Sequence, residues 1–321
     1  MSTPSPDSRW TDPSFVLRRV LRRPTVPMEP YQPLQIDAAA RERLQDVALK
    51  AQGLSTPPVA FVFGVMPRSG TNYLERMLCQ HPDVVTPPDD LRELPFLSAL
   101  PDMHRFEDSL ARFYAPNSEL FAQNEWLAYA MAGYLSSVRS SVGETAKLVV
   151  IKDPRVRHIS LFDAVLPREK AMIVVRDGRY LVDSTIRTWP LKPLGRTFED
   201  VCLEWDAATR AALDYGDTAP AERVRLVKYE EVVADPATRI GELCSWLGID
   251  PAAIEAEALT DAPILGSSTH SRENGGEVGW TPVYKKDGFD PTGRDLGWTD
   301  KQKRIFERVC GETQKRAGYD L

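Results

Sequence analysis

The chain has 321 residues, with 40 Lys and Arg set against 46 Asp and Glu, for a formal charge of −6. Hydrophobic residues make up 42% and charged residues 27%, a globular balance with enough chain to bury a large core. The acidic total argues against a protein that coats nucleic acid, and no apolar run approaches the ~20 residues of a membrane-spanning helix.

Residues 1–57 read as a Pro-rich leader with short helices, because Pro4, Pro6, Pro13, Pro24, Pro27, Pro30 and Pro33 interrupt any long element. Within it, Phe15 to Arg23 is basic and amphipathic, which suggests a short helix docking on the body. Ala38 to Gln52 reads as a helix stopped by Gly53, with Leu44, Val47 and Ala48 on one face. From residue 58 onward the pattern is that of one folded domain, residues 58–321. Pro58-Val-Ala-Phe-Val-Phe-Gly64 is an unbroken β-branched and aromatic run, as expected of a strand buried on both faces. Lys147 to Lys152, Ala171 to Val175 and Arg223 to Tyr229 repeat that pattern. Helical spacing follows each run, at Tyr73 to Cys79, Arg157 to Val165, Tyr180 to Thr188 and Ala237 to Leu247. Glu119 to Arg139 and Phe198 to Tyr215 read as longer helical insertions. Buried strands alternating with helices predict an α/β fold: a P-loop-like three-layer domain with a central parallel sheet and helical insertions.

The four cysteines (Cys79, Cys202, Cys244, Cys310) and four histidines (His81, His104, His158, His270) lack zinc-ligand spacing, so no metal site is expected. Dispersed thiols and the lack of a secretory signal pattern lead to the expectation of a reduced, cytoplasmic protein.

Open α/β sheets bind ligands beyond the carboxyl ends of their strands. The loop after the first strand reads Gly64-Val-Met-Pro-Arg-Ser-Gly-Thr-Asn-Tyr73. Set against the nucleotide loop G-x-x-x-x-G-K-[ST], the length is kept, the lysine is lost and Arg68 supplies a cation one position earlier. Small residues at Ser69, Gly70 and Thr71 let backbone N–H groups close around an anion at a helix N-terminus. Loss of the lysine counts against nucleoside triphosphate hydrolysis, which uses it on the β/γ-phosphates.

Pro67-Arg-Ser-Gly-Thr71, with Leu78-Cys-Gln-His-Pro-Asp83 downstream, resembles the 5′-phosphosulfate loop of sulfotransferases that use 3′-phosphoadenylyl sulfate (PAPS). The second half of that family's signature is an arginine at a strand end with a serine eight positions later, which Arg176 and Ser184 match. An arginine fork and a hydroxyl two turns into the next helix can reach one phosphate. Lys152-Asp-Pro154, Arg176-Asp-Gly-Arg179 and Lys228-Tyr-Glu-Glu231 look closest to the tyrosylprotein sulfotransferase branch.

The resemblance implies a sulfuryl transfer from PAPS to an acceptor hydroxyl, with no metal required. It implies that Arg68 holds the 5′-phosphate, with Ser69, Gly70, Thr71 and Asn72 donating around it, and that Lys152 contacts the transferred group. Family members commonly have a second threonine where this chain has Asn72. The branch's base is a glutamate in a Glu-Glu-Thr-Arg context, and Asp90 takes its place if one residue is inserted, Asp89 if not. Cytosolic members use histidine, which keeps His158 and His104 as candidates; His81 reads as structural. Tyr229 is placed to pack on adenine or in the core. Ser271 and Arg272, in the polar stretch Gly266 to Gly276, resemble a Ser-Lys pair facing the phosphosulfate, and that stretch has the composition of a mobile binding loop. Arg187, one position early for the branch's arginine, is a further phosphate-contact candidate. The acceptor is expected to be a small molecule or peptide, with phenol, tyrosyl, sugar and secondary-metabolite hydroxyls all open. A P-loop kinase or NTPase, and a nucleotide-binding protein of the same fold without catalysis, are the rival readings.

Overall fold

The computed structural model describes residues 34–53, 56–88, 93, 95–113, 125–143, 146–189, 191, 195–260, 265–271, 279–284, 293 and 295–321. Five parallel strands form the central sheet in the order β2-β3-β1-β4-β5: Val59–Gly64 (β1), Val84–Val85 (β2), Leu148–Asp153 (β3), Lys170–Val175 (β4) and Val224–Lys228 (β5). Strands β1 and β3 are buried at every residue, as the apolar runs Val59 to Phe63 and Leu148 to Ile151 require in the middle of a covered parallel sheet; β3 also buries the charged Lys152 and Asp153 at its C-terminal end. The edge strand β5 departs from the expectation of burial on both faces. Arg225 and Leu226, which point to opposite faces, are both exposed at this edge of the sheet, where among the described residues β5 is paired on one side only.

Helices cover both faces, giving three layers. Side-chain alternation sends Ala60, Val62, Val150, Met172 and Val174 to one face, where Thr71–Leu78 (α2), Tyr229–Ala234 (α8) and Pro236–Leu247 (α9) pack. Phe61, Phe63, Val149, Ile151, Ile173 and Val175 face the other layer. That layer contains Ala38–Gln52 (α1), Phe96–Phe113 (α3), Glu125–Ser140 (α4), Phe162–Val165 (α5), Gly178–Thr188 (α6), Phe198–Thr218 (α7) and Asp300–Arg316 (α11). Leu44 and Ala48 of α1 are fully buried, and Asp37 caps the helix by accepting from Ala40 N. This helix therefore packs into the main core rather than trailing from it. The stretch Phe15 to Arg23 lies outside the described residues.

Several expectations are corrected. Arg157 to Val165 forms a 3₁₀ turn at Ile159–Leu161 followed only by α5, because His158 takes a left-handed φ of 56° that breaks helical continuity. Tyr229 opens α8 instead of closing a strand. The polar stretch Gly266 to Gly276 is not wholly a loop. Leu265–Ser271 (β6) pairs antiparallel with Gly279–Tyr284 (β7), whose Trp280, Thr281, Val283 and Tyr284 are strand-favouring residue types. Between these elements lies Ala256–Thr260 (α10). Among the described residues, no helix is long and apolar enough to cross a membrane. All four cysteines are free thiols.

Candidate active site

The order β3-β1-β4 brings the C-terminal ends of the three central strands side by side. Each delivers one cation. Lys152 continues the Val150 face of β3 and Arg176 continues the Val174 face beyond β4, so period-2 alternation aims both toward the α2 side of the sheet. Arg68 lies in the loop between β1 and α2, with a φ of 85°.

That loop is tightly built. Ser69 is fully buried, and its hydroxyl donates to Met66 O over 2.6 Å while accepting from Met66 N over 3.2 Å. Its side chain thus closes the loop on itself and is not turned outward. Gly70 has a φ of 108° and precedes the first residue of α2; a Cβ there would lie 2.2 Å from Tyr229 Cδ2. Only glycine satisfies both the backbone angle and the approach of the ring. Thr71 begins α2, and the buried Asn72 Oδ1 has no hydrogen-bond partner among the described residues.

Tyr229 is the platform for the second arginine. Its ring carries the Arg176 guanidinium 4.5 Å from the centroid and meets Tyr73 edge-on at 5.9 Å. Arg176 Nη1 donates to the Arg68 carbonyl over 2.9 Å, and Arg68 Nε donates to Ser184 Oγ over 3.0 Å. Arg68, Gly70, Arg176, Ser184 and Tyr229, which span 162 positions of sequence from 68 to 229, therefore form one cluster. Two arginines, a hydroxyl and a helix N-terminus make a site for a polyanion.

Lys152 is buried and donates to Glu75 Oε2 over 3.1 Å; Glu93 Oε1 lies 3.9 Å away. Glu75 comes from α2 and also accepts from Thr86 Oγ1 over 3.2 Å. Sequence reasoning missed Glu75. Its signal was a carboxylate within the i, i+3, i+4, i+7 set Thr71, Leu74, Glu75 and Leu78, all of which are buried. Asp153, next along β3, turns to the opposite face, and burial raises its carboxyl to about 7.

Other candidates have different surroundings. His158 Nδ1 accepts from Leu34 N over 2.9 Å, and burial, with Arg157 adding to it, lowers the imidazole to about 4. His104 faces Glu107 and Asp108 on α3 at 3.9 and 4.0 Å. His81 bridges the Asp250 carbonyl at 2.9 Å and the Asp83 amide at 3.0 Å, a strut between loops. Arg187 is largely exposed and pairs with Asp183 at 2.8 Å. Asp89, Asp90 and Arg272 lie outside the described residues, and Ser271 is the last residue of β6. Among the described residues, no group of three or more His, Cys, Asp or Glu is arranged to hold a metal ion.

The profile of the sulfotransferase family matches residues 58–252, more than half of the chain. The chain belongs to the sulfotransferase family. Over 212 residues it is 29% identical to protein-tyrosine sulfotransferase 1 of Danio rerio, a match covering 62% of this chain and 57% of that protein. It is 28% identical over 196 residues to protein-tyrosine sulfotransferase 2 of Gallus gallus, covering 60% of this chain and 51% of the relative. The chain thus spans little more than half the length of these two relatives. Among solved structures, the sulfotransferase domain of the Synechococcus PCC 7002 olefin synthase is similar, with a TM-score of 0.49 and 22% identity over 84% of this chain and 98% of that one. Every element of the cluster from Arg68 to Tyr229 falls inside the matched sulfotransferase span, whereas α11 falls outside it.

Proposed function

We propose that this protein transfers a sulfuryl group from PAPS to an acceptor hydroxyl of a phenol or a tyrosyl peptide. The carrying observation is the convergence of Arg68, Arg176 and Ser184 on the Gly70 loop, with Lys152 aimed to the same face of the sheet. Tyrosyl specificity is favoured by relatives that bear the name protein-tyrosine sulfotransferase.

The donor fits these residues: its phosphates are anions, and the cluster offers two guanidinium forks, a hydroxyl and the α2 N-terminus. Bound PAPS supplies the sulfuryl group, whose bond to the phosphate oxygen breaks as the acceptor oxygen bonds to sulfur. Arg68 and Arg176 hold the donor's phosphates, and their mutual contacts limit the reorganisation that binding needs. Lys152, released from Glu75 and Glu93, offsets negative charge where the leaving phosphate oxygen forms. A carboxylate takes the acceptor proton; Asp90 has that role. Ser69 acts by holding the loop's shape, while Thr71 and Asn72 donate at its rim.

Incubating the protein with ³⁵S-labelled PAPS and panels of phenols, tyrosyl peptides, sugars and aliphatic alcohols tests the reading. Label in a phenol or tyrosyl peptide supports it. Label confined to sugars or alcohols overturns the acceptor class, and no label in any acceptor overturns the activity.

A further inference from the structure

The C-terminal helix α11 is outside the span matched by the family profile, yet one of its residues reaches the arginine loop. Gln314 is fully buried, and both the oxygen and the nitrogen of its amide are hydrogen-bonded. Its Oε1 accepts from Gly178 N over 3.0 Å, and its Nε2 donates to Asp177 Oδ1 over 2.9 Å and to Asp320 O over 3.0 Å. Asp177 and Gly178 directly follow Arg176 and open α6, the helix that carries Ser184. Asp177 caps α6 by accepting from Arg179 N, which leaves the Gly178 N–H for Gln314. Gly178 has no room on its other side, since a Cβ there would lie 2.7 Å from the Trp205 ring. A second tie runs from the same tail: Tyr319 Oη donates to Glu230 Oε2 over 2.7 Å, and Glu230 Oε1 accepts from Asp177 N over 3.1 Å.

Alternation explains the geometry. Arg176 points to the α2 face, whereas Asp177 points to the α11 face, where Phe306 and Cys310 anchor the helix in the core. We propose that Gln314 is a positioning residue for donor binding: from behind the sheet it fixes the Asp177-Gly178 peptide, and so sets where Arg176 and Ser184 stand. This inference rests on the reading that Arg176 and Ser184 hold the donor's phosphates. A glutamine is suited to the task because one uncharged group both donates to a carboxylate and accepts from an amide.

The test uses the full chain with Gln314→Glu and Gln314→Leu. Glutamate keeps the shape and the acceptor but, when ionised, sets a second carboxylate against Asp177. Among the described residues, Arg179 on α6, Glu230 and Glu231 on α8, and Tyr319 and Asp320 of the tail are titratable groups around that pair. Protonation at lower pH restores a donor toward Asp177. Two measurements are made at pH 8 and pH 5.5: affinity for 3′-phosphoadenosine 5′-phosphate by calorimetry, and deuterium exchange of residues 176–181 without nucleotide. Expected is a loss of roughly tenfold in affinity for both variants at pH 8, with faster exchange in 176–181. Gln314→Glu, relative to the native chain at the same pH, recovers most of both at pH 5.5, and Gln314→Leu does not.

Native affinity and exchange in both variants, or a glutamate defect that ignores pH, overturns the proposal. If the native chain itself fails to bind the nucleotide, the donor reading falls. A pH-reversible exchange change in Gln314→Glu then still upholds the brace, and its absence refutes it.

Discussion

Arg68 Nε donates to the Ser184 hydroxyl across 3.0 Å, joining two residues 116 positions apart in sequence. One lies in the loop after β1 and the other two turns into α6, so the two halves of the proposed anion site are in direct contact. Arg176 completes the link through the Arg68 carbonyl. If this cluster holds the donor, its internal contacts lower the reorganisation that binding needs, and substitutions within it act on binding first.

Arg176→Ala removes a charged donor and leaves the Arg68 carbonyl without it. Affinity for 3′-phosphoadenosine 5′-phosphate is expected to fall by about 1.5–3 kcal/mol, roughly ten- to a hundredfold. Calorimetry reads this directly; unchanged affinity contradicts the role of Arg176.

Gly70→Ala places a methyl where the Tyr229 ring already stands, at a backbone φ of 108°. The left-handed angle alone costs about 1–2 kcal/mol, and the overlap adds to it. Melting temperature and nucleotide affinity should fall together, because displacing Tyr229 also unseats Arg176. A variant that melts and binds like the native chain refutes the packing.

Lys152 and Glu75 form a buried pair, so removing one partner leaves the other charge exposed to a poor solvent. Glu75→Gln is expected to destabilise by about 3 kcal/mol, the lower end for such pairs, since Glu93 remains nearby. The double change Glu75→Gln with Lys152→Met should recover part of that loss in urea unfolding. Lys152→Met alone is expected to slow transfer about a hundredfold while nucleotide affinity holds.

Asp153 and His158 give stability opposite pH slopes. The Asp153 carboxyl is raised from 3.8 to about 7 in the folded state, so its contribution is full below pH 4 and is lost as pH rises through 7. His158 is lowered from 6.5 to about 4, so its contribution is full above pH 6.5 and is lost as pH falls through 4. The two partly cancel between pH 4 and 6.5. Asp153→Asn should leave unfolding free energy rising with pH across that window, and His158→Gln should leave it falling. Identical pH profiles for both variants would falsify this assignment.

Much of the fold was legible because burial writes itself into composition. Val59–Gly64, Leu148 to Ile151 and Ala171 to Val175 are unbroken apolar or β-branched runs, and each lies in the middle of the sheet. Helix α3 was not foreseen, since Pro101 sits inside it and reads as a breaker. Helix α11 was missed for a different reason: its sequence is dominated by Lys, Arg, Glu and Gln, with only Ile305, Phe306, Val309 and Cys310 to mark a buried stripe. In the site, Arg68, Arg176 and Ser184 could be named from loop spacing and resemblance. Glu75 had only a partial signal, its place on the buried face of α2, and Gln314 had none; their partners Lys152 and Gly178 lie 77 and 136 positions away, and no local period encodes those contacts. Ser69 illustrates the converse. Its place in the loop was plain, but only the structure reveals that its hydroxyl serves Met66.

The central claim is that the Arg68–Arg176–Ser184 cluster holds a nucleotide bearing a 5′-phosphosulfate. The most direct measurement is calorimetric titration of 3′-phosphoadenosine 5′-phosphate into the native chain in the presence of EDTA, with ATP as a parallel ligand. The account predicts saturable binding of one nucleotide per chain, competed by PAPS and much tighter than binding of ATP. Absence of binding, or a preference for ATP that appears only with magnesium, would contradict it.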